Sequence, residues 1–358
     1  MRQFYSSQLD DGLQRRWREF ADGVAWSHFM ADARWAEIDR WGSGRTARRP
    51  CFFWAEHEGE IVLTAIGVRR SLPVPGRALW EFKRDPTFRD IDALDEWLAW
   101  LTPTLKHDAV RLRLHPPVPL DAGGDDIESV LERHGFVRRR SMGSWATLCV
   151  GLERSEDELL RSFRSSTRAA IRKSARKGVA VTTEDTPRGL AILCDLQNAM
   201  RARTPVPSVS LEALTRISRF WLAGGSGGTV LIARKDDQPL AAILLVKHRD
   251  RAFMHMMPSV SHDSAPGGVS TSHLLLWEAI RWARDHGCAV FDLGGYNLMA
   301  RPGDPLAGVN FFKQGFAPDE EPEKVVAVHE KASALIETSV SLYRQAERAF
   351  SGRWARGE

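Results

Sequence analysis

The sequence predicts an α+β protein made of two copies of one module, in which a mixed β-sheet is flanked by helices. Three observations support this prediction. The 358 residues suffice for about two domains. The apolar share of 43% and the charged share of 27% are typical of a globular protein with a large core. Two stretches of the chain also present the same succession of predicted strands and helices.

The first copy begins with a hairpin over residues 51–67, whose turn is predicted at Glu58–Gly59. A helix follows, and its apolar residues recur on one face at helical spacing: Leu94, Trp97, Leu98 and Leu101. Residues 110–114 then alternate between apolar and basic side chains, which is the pattern of a strand with one buried face. The copy closes on the pair Gly135–Phe136.

The second copy repeats this order. It has a hairpin over residues 229–246, with its turn at Asp236–Asp237, and a further strand over 251–257. A helix over 272–286 and a strand over 289–293 follow, and a second Gly-Phe pair closes the copy. The strand and the Gly-Phe pair lie 180 positions after their counterparts in the first copy, so we interpret the chain as an internal repeat.

The repeat leads to a prediction of domain boundaries. Residues 1–150 form the first module, and residues 151–324 form the second module. The C-terminal residues 325–358 lie outside the second copy, and their pattern predicts one or two amphipathic helices. We expect these helices to pack on the first module, which would make that domain discontinuous.

A basic element over residues 156–178 separates the two copies. Three acidic residues open it and Gly178 closes it, as is typical of the two ends of a helix. The run 161–177 holds seven basic and no acidic side chains. An exposed helix face usually mixes charges, because like charges four residues apart repel each other. The run therefore fits either a solvated face or a surface that binds a phosphate group.

Composition excludes several classes of protein. No apolar run approaches the ~20 residues of a membrane span, and the N-terminal residues lack the apolar stretch of a signal peptide. The four cysteines lie far apart, and the histidines lack the spacing of metal ligands, so we expect neither a disulfide framework nor a metal site. We expect a cytoplasmic protein that needs no cofactor. The net charge of +4 is too small to indicate nucleic-acid binding by itself.

The end of the second copy carries the residues with the clearest chemical potential. Gly294 and Gly295 follow a strand, allow a sharp turn and let a ligand approach the backbone next to Tyr296. Lys313 is the one lysine in a phenylalanine-rich segment. A lysine between apolar neighbours can serve as a point charge for a phosphate or an oxyanion. It can equally be a surface lysine whose stem covers apolar groups.

Four segments, in this order, resemble motifs of the FemABX family: Ile171–Val179, Trp277–Ala283, Phe291–Gly295 and Phe311–Phe316. The segment 28–38 is more weakly similar to the N-terminal signature of that family. The resemblance implies two tandem GNAT-like acyltransferase modules. It also implies transfer of an aminoacyl group from aminoacyl-tRNA to an amine of a peptidoglycan precursor.

The resemblance assigns roles to some residues. Phe312 and Lys313 match the family's Phe-Lys pair, which implies that Lys313 contacts a tRNA phosphate or the developing oxyanion and that Phe312 lines the aminoacyl pocket. The basic element matches in type and position, which implies that its central residues bind substrate phosphate: Arg168, Arg172 and Lys173. We expect module one to serve the acceptor rather than to hold a second catalytic centre, because residues 87–94 lack a phosphate-binding motif.

Two positions depart from the family pattern. Asp39 stands where the family has a lysine that holds the phosphate of the precursor, and Arg40 next to it is the remaining candidate. His115 stands where family members have an aspartate. Histidine titrates near neutral pH, so His115 is a candidate base, although a structural histidine before two prolines is an equal alternative.

Two other functions stay open. The first is a GNAT-type N-acyltransferase that uses acyl-CoA or another acyl thioester, and it needs a phosphate-binding loop before a helix. Residues 264–273 hold two glycines and a helix start, but they lack the family's pyrophosphate motif. The second is a non-catalytic protein that binds RNA or a phosphoglycan. The acceptor could be a small molecule instead of a cell-wall precursor, and the oligomeric state is open.

Overall fold

A computed structural model describes residues 1–40, 47–72, 76–139, 146–201, 208–225, 227–260 and 270–332. The chain divides into two compact units. Unit 1 comprises Met1–Met142 together with Val326–Glu358, and unit 2 comprises Gly143–Val325. The strand Ala146–Gly151 belongs to unit 2, so the division falls slightly before position 150.

Residues 1–139 form seven strands and four α-helices among the described residues. In chain order these are β1 (Arg2–Ser6), α1 (Asp11–Gly23), α2 (Trp35–Asp39), β2 (Arg48–His57), β3 (Glu60–Ser71), β4 (Ala78–Phe82), β5 (Thr87–Phe88), α3 (Ile91–Leu105), β6 (Ala109–Leu114), α4 (Gly124–Arg133) and β7 (Val137–Arg138). Short 3₁₀ turns occupy Phe29–Ala31 and Leu120–Ala122.

The rest of the described chain also alternates between strands and helices. Its elements are β8 (Ala146–Gly151), α5 (Glu156–Ser162), α6 (Ser165–Arg176), β9 (Ala180–Thr183), α7 (Pro187–Met200), α8 (Leu211–Ile217), β10 (Gly228–Lys235), β11 (Gln238–His248), β12 (Arg251–Met256), α9 (Thr271–Asp285), β13 (Val290–Tyr296), α10 (Pro305–Gln314), β14 (Glu323–Lys324) and β15 (His329–Ala332). A π-helical segment, Ser218–Leu222, follows α8.

The two sheets have the same architecture, which confirms the prediction of two tandem α+β modules. The sheet of unit 1 has the order β1-β2-β3-β4-β6-β15-β7, with β5 paired to β3. The sheet of unit 2 has the order β9-β10-β11-β12-β13-β8-β14. Each sheet is antiparallel except at one central pair, β4 with β6 and β12 with β13.

The predicted hairpins are both present, and they share one turn chemistry. Glu58 and Gly59 have φ angles of 53° and 86°, and Asp236 and Asp237 have φ angles of 51° and 61°. Two successive left-handed residues are what a two-residue hairpin turn of the commonest type requires, because this turn matches the twist of the flanking strands. Local sequence therefore determines both turns.

Helices cover the sheets with the faces that the sequence predicts. In unit 1, Leu94, Trp97 and Leu98 of α3 are fully buried and pack in the same core as Phe53 and Phe82 of the sheet. The corresponding core of unit 2 contains α9 and the inner face of β11 and β13. Gly287, with a φ of 70°, follows the last turn of α9, because glycine accepts the left-handed conformation at that position.

The prediction of helices at the C-terminus is wrong for the described part of that segment. Residues 329–332 form β15, which inserts between β6 and β7 and pairs His329 with Leu114. In the other sheet, β8 inserts in the same way between β13 and β14. A short strand whose partners are distant in sequence leaves no local helical or strand signal. The remaining residues of the predicted helices, 333–358, lie outside the described residues.

The basic element is two helices rather than one. The chain leaves the helical conformation at Phe163 and Arg164, whose ψ angles are 153° and 142°. The break has a tertiary cause: the Phe163 ring packs against Trp277 and Phe316, and the Arg164 N–H donates to the carbonyl of Gly315 at 2.9 Å. Packing therefore overrides the continuous helical pattern of the sequence.

Candidate active site

Lys313 occupies the last turn of α10, where its side chain is buried at 6% exposure. Its Nζ donates a hydrogen bond to the carbonyl oxygen of Gly295 at 2.7 Å. An ammonium group has three N–H donors. Among the described residues, the Gly295 carbonyl is its one hydrogen-bond acceptor. Two donors therefore remain for a ligand at the exposed end of β13.

Burial sets the protonation of this lysine. Loss of solvent lowers the pKa of Lys313 from 10.5 to about 8, and the carboxylate of Asp292 opposes this shift. A lysine with this pKa is mostly charged at neutral pH, but it gives up its proton far more readily than an exposed lysine. Shifts of this kind are concentrated at functional sites, although structural networks also cause them.

A bulge in β13 brings the Gly295 carbonyl to Lys313. The pairing of β13 with β8 shifts register between Asp292 and Gly295. Gly294 lies in this bulge with a φ of 73°, and a Cβ atom there would stand 3.8 Å from the Lys313 ammonium. Tyr296 ends the strand and packs against the core of unit 2. The predicted ligand approach at Gly294 and Gly295 thus lies next to the predicted lysine.

Asp292 holds the bulge in shape. Its buried carboxylate accepts hydrogen bonds from the N–H of Gly294 at 2.7 Å and from the hydroxyl of Thr147. Arg251 pairs with it at 3.4 Å and also lies 3.9 Å from Glu323. No sequence pattern singles out Thr147, Arg251 or Glu323, because these residues come from separate strands and share no motif.

Phe312 faces the interior of unit 2. Its ring centroid lies 4.9 Å from that of His273 and 5.4 Å from that of Phe316. His273 Nδ1 is 2.6 Å from the hydroxyl oxygen of Ser270 at the start of α9, and burial lowers the pKa of His273 to about 4. No sequence pattern singles out His273, because a serine three residues before a histidine at a helix start is an ordinary capping pattern.

The residues of the basic element separate into two groups. Arg168 caps the end of α5: its guanidinium donates to the carbonyls of Arg161, at 2.9 Å, and Phe163. Arg172 and Lys173 are exposed on α6, and no carboxylate among the described residues lies within ion-pair distance of either. Arg172 and Lys173 are therefore available to a phosphate group, whereas Arg168 has a structural task.

His115 and Arg40, the candidates in the first module, lie in unit 1. The main-chain N–H of His115 donates to the main-chain carbonyls of Phe82, at 3.2 Å, and Asp85, at 3.3 Å. Its Nε2 has no hydrogen-bond partner among the described residues, and burial holds the pKa of the ring well below its usual range. His115 is thus neutral at pH 7, and its role as a base stays a prediction. Arg40 follows α2, is exposed and pairs with Glu37 at 3.5 Å.

Two absences apply to the described residues only. No group of three or more potential metal-ligating side chains occurs in the described part of the chain. None of the helices described is both long and apolar enough to cross a membrane.

Comparison with known proteins agrees with this fold. The sequence model of the acetyltransferase (GNAT) domain matches residues 161–313, which include α6, β13 and Lys313. No curated protein shows significant sequence similarity to the chain. The chain is similar in structure to FemX, with a TM-score of 0.74 at 14% identity over 95% of this chain and 99% of the other.

Two further structures share the fold at a greater distance. L-PGS from Bacillus licheniformis has a TM-score of 0.54 at 13% identity, covering 94% of this chain and 96% of the other. A tandem GNAT protein from the clavulanic acid biosynthesis pathway has a TM-score of 0.53 at 13% identity, covering 92% and 98%. The prediction of a FemABX-like tandem GNAT fold is therefore confirmed, and so is the general class of acyltransferase.

Proposed function

We propose that the protein is an aminoacyltransferase that moves an aminoacyl group from aminoacyl-tRNA to an amine of a cell-wall precursor or a related acceptor. The observation that carries the proposal is the buried ammonium of Lys313, which has N–H donors to spare beside the exposed Gly295. The same unit carries the basic surface of α6. Charged tRNA is available in the cytoplasm, where we place the reaction.

The reaction needs stabilisation of negative charge more than it needs a strong base. The acceptor nitrogen forms a bond to the ester carbonyl carbon, and the carbonyl oxygen becomes an oxyanion. Lys313 donates its free N–H groups to that oxygen or to the adjoining phosphate. The C–O ester bond then breaks, and the proton lost by the amine ends on the hydroxyl of the released tRNA.

The basic surface supports a polyanionic donor. Arg172, Lys173 and Arg176 are exposed on α6, and no described carboxylate neutralises them. Binding of RNA by such a surface releases counterions, so affinity falls as salt rises. A plot of the log of the binding constant against the log of the salt concentration has a negative slope. Each phosphate contact that is removed makes this slope less steep by roughly 0.7 to 0.9.

A thioester donor is the second candidate. The matched domain model is that of acetyltransferases, and a tandem GNAT protein shares the fold. With this donor the leaving group is a thiol, and Lys313 keeps its role at the oxyanion. CoA would then compete with the donor for the same site.

Binding of aminoacyl-tRNA by the purified protein, with a CoA thioester as competitor and at low and high salt, tests the donor. We expect salt-sensitive tRNA binding that CoA does not displace. Arg172→Ala combined with Lys173→Ala should reduce both affinity and salt slope. Arg188→Ala, which removes another exposed arginine of unit 2, should change neither.

The opposite results identify the alternatives. Saturable binding of the thioester without tRNA binding would overturn the proposed donor and keep the acyltransferase class. Tight tRNA binding without any aminoacylated product, across a panel of amine acceptors, would favour the non-catalytic RNA binder.

A further inference from the structure

Phe311 lies next to the buried part of α10 but faces outward. The residue is 67% exposed, whereas the following residues Phe312 and Lys313 point into unit 2. The loop before α10 is also apolar at its surface: Leu298 and Met299 are 40% and 63% exposed. A single exposed apolar residue is common and needs no explanation. The residues around Phe311 are what indicate a functional role for its exposed ring.

A cation stacks on this ring. The guanidinium carbon of Arg164 stands 4.4 Å from the ring centroid of Phe311. No carboxylate among the described residues pairs with Arg164. An aromatic face within about 6 Å of a guanidinium forms a cation–π contact, which leaves both groups with their outer surfaces available. We call this pair the Arg164–Phe311 platform.

Backbone contacts fix the platform in position. The main-chain N–H of Arg164 donates to the carbonyl of Gly315 at the end of α10. The side-chain Nη1 of Arg164 donates to the carbonyl of Phe311 at 3.5 Å. Gly315 allows this close approach, because a Cβ atom there would collide with the Thr167 hydroxyl. The start of α6 and the end of α10 are therefore locked together, and the platform needs little ordering before it can bind a ligand.

We propose that the Arg164–Phe311 platform stacks an unpaired base at the single-stranded 3′ end of the donor RNA. An aromatic ring with a neighbouring arginine, beside a surface of unneutralised positive charge, is the combination that binds single-stranded nucleic acid. The exposed cations of α6 supply the charge for the phosphates: Arg172, Lys173 and Arg176. This inference rests on the proposed RNA donor.

The adjacent residues Phe311 and Phe312 have different roles. Phe312 packs on His273 and Phe316, so its ring is engaged inside the protein. Phe311 is exposed, so its ring is accessible from solvent. Base stacking belongs to Phe311, and Phe312 supports the helix that carries Lys313.

Binding of two RNA hairpins tests the platform. One hairpin has a short single-stranded 3′ overhang, and the other has the same stem with a blunt end. Wild-type protein should prefer the overhang. Phe311→Ala should reduce affinity for the overhang hairpin by about fivefold to 100-fold and leave the blunt hairpin unchanged, because stacking acts on unpaired bases. Phe311→Tyr should keep the preference.

Two variants separate stacking from other effects. Phe311→Leu keeps an exposed apolar side chain but removes the aromatic face, and it should lose the preference as Phe311→Ala does. In a second arginine–phenylalanine pair of unit 2, the guanidinium carbon of Arg219 lies 5.7 Å from the ring centroid of Phe220. Phe220→Ala removes that ring, and this variant should bind both hairpins as wild type does. Thermal unfolding verifies that each variant is folded.

The outcomes separate this inference from the proposed function. An overhang preference that survives Phe311→Ala, or a wild type that binds both hairpins equally, overturns the platform and leaves the RNA donor intact. A wild type that binds neither hairpin nor aminoacyl-tRNA overturns the RNA donor, and the platform with it.

Discussion

The helices α4 and α10 occupy the same place in the two units, but they carry different chemistry. Each follows the central parallel strand pair and precedes a buried phenylalanine, Phe136 or Phe316, at 1% exposure. Arg133 of α4 has a side chain that is 62% exposed and pairs with Asp95 at 3.3 Å. Lys313, its counterpart in the repeat, is 6% exposed and bonds to a backbone carbonyl. Duplication of the fold has not duplicated the buried cation.

The strands before these helices show the same contrast. Leu112 and Leu114 of β6 are buried among the apolar side chains of unit 1. Their counterparts in β13 are Asp292 and Gly294, which form and stabilise the bulge beneath Lys313. A buried carboxylate and a glycine in place of two leucines sacrifice apolar packing. Unit 2 tolerates this cost where the site needs a shaped backbone, and unit 1 keeps an ordinary sheet.

The largest expected effect comes from removing Lys313, the buried cation of unit 2. Lys313→Met should lower product formation in an aminoacyl transfer assay by about 100-fold to 1,000-fold, the usual loss when one oxyanion donor is removed. Arg133→Met, at the same place in unit 1, should leave the rate unchanged. Equal activity of the two variants would contradict the assignment of the site to unit 2.

The same Lys313→Met variant should be more stable than wild type at pH 7. A pKa lowered from 10.5 to about 8 corresponds to about 3 kcal/mol of penalty for holding the charged form in the fold. The penalty is complete below pH 8, where the folded and unfolded states are both protonated. It disappears as pH rises from about 8 to 10.5, because the folded lysine loses its proton first.

Denaturant unfolding as a function of pH measures this effect. The stability gain of the variant should shrink over that interval, and Arg133→Met should show no such pH dependence. A Lys313→Met protein that is less stable than wild type at every pH would mean that the bond to Gly295 outweighs the cost of burial.

Local patterns predict most of the repeat, and they do so for identifiable reasons. The turns at Glu58–Gly59 and Asp236–Asp237 and the apolar face of α3 depend on neighbouring residues alone. Lys313 is a candidate because it is the one lysine in a phenylalanine-rich segment and because it matches the Phe-Lys pair of the FemABX family, and its burial agrees with a special role. The grouping of the candidate residues into one site, and the roles assigned to them, stay predictions.

The features that the sequence did not predict depend on contacts between distant segments. The strands β8 and β15 pair only with strands that are distant in the sequence: β8 with β13 and β14, and β15 with β6 and β7. The break at Phe163 follows from packing against Trp277, more than a hundred positions later. Arg251 reaches Asp292 across a parallel strand pair, a contact that no spacing along the chain indicates.

A smaller effect should follow from changing the charge beneath the bulge. Asp292 raises the pKa of Lys313 against the effect of burial. Asp292→Asn removes that charge but keeps an oxygen that can accept from Gly294 and Thr147. If protonated Lys313 is the active form, the rate falls at alkaline pH as the lysine loses its proton. The alkaline limb of the pH–rate profile should therefore move to lower pH in the variant.

Asp185→Asn is the control for this shift. Asp185 also accepts a backbone N–H in unit 2, from Val230, but it has no part in the surroundings of Lys313. Its variant should keep the wild-type alkaline limb. An unchanged limb in Asp292→Asn would mean that the group titrating in catalysis is not Lys313.

The smallest expected effect separates backbone strain from the site. Gly294 and Gly287 have similar left-handed φ angles, 73° and 70°, so an alanine at either position should destabilise unit 2 by about 1 kcal/mol. The added Cβ at Gly287 meets no atom within 4 Å, whereas at Gly294 it stands 3.4 Å from the Met254 carbonyl and 3.8 Å from Lys313 Nζ. Gly294→Ala should therefore slow transfer as well, because the Gly295 carbonyl that orients Lys313 shifts. Equal stability loss with a rate loss only in Gly294→Ala would assign the bulge to function, and equal rates would reduce it to a structural irregularity of β13.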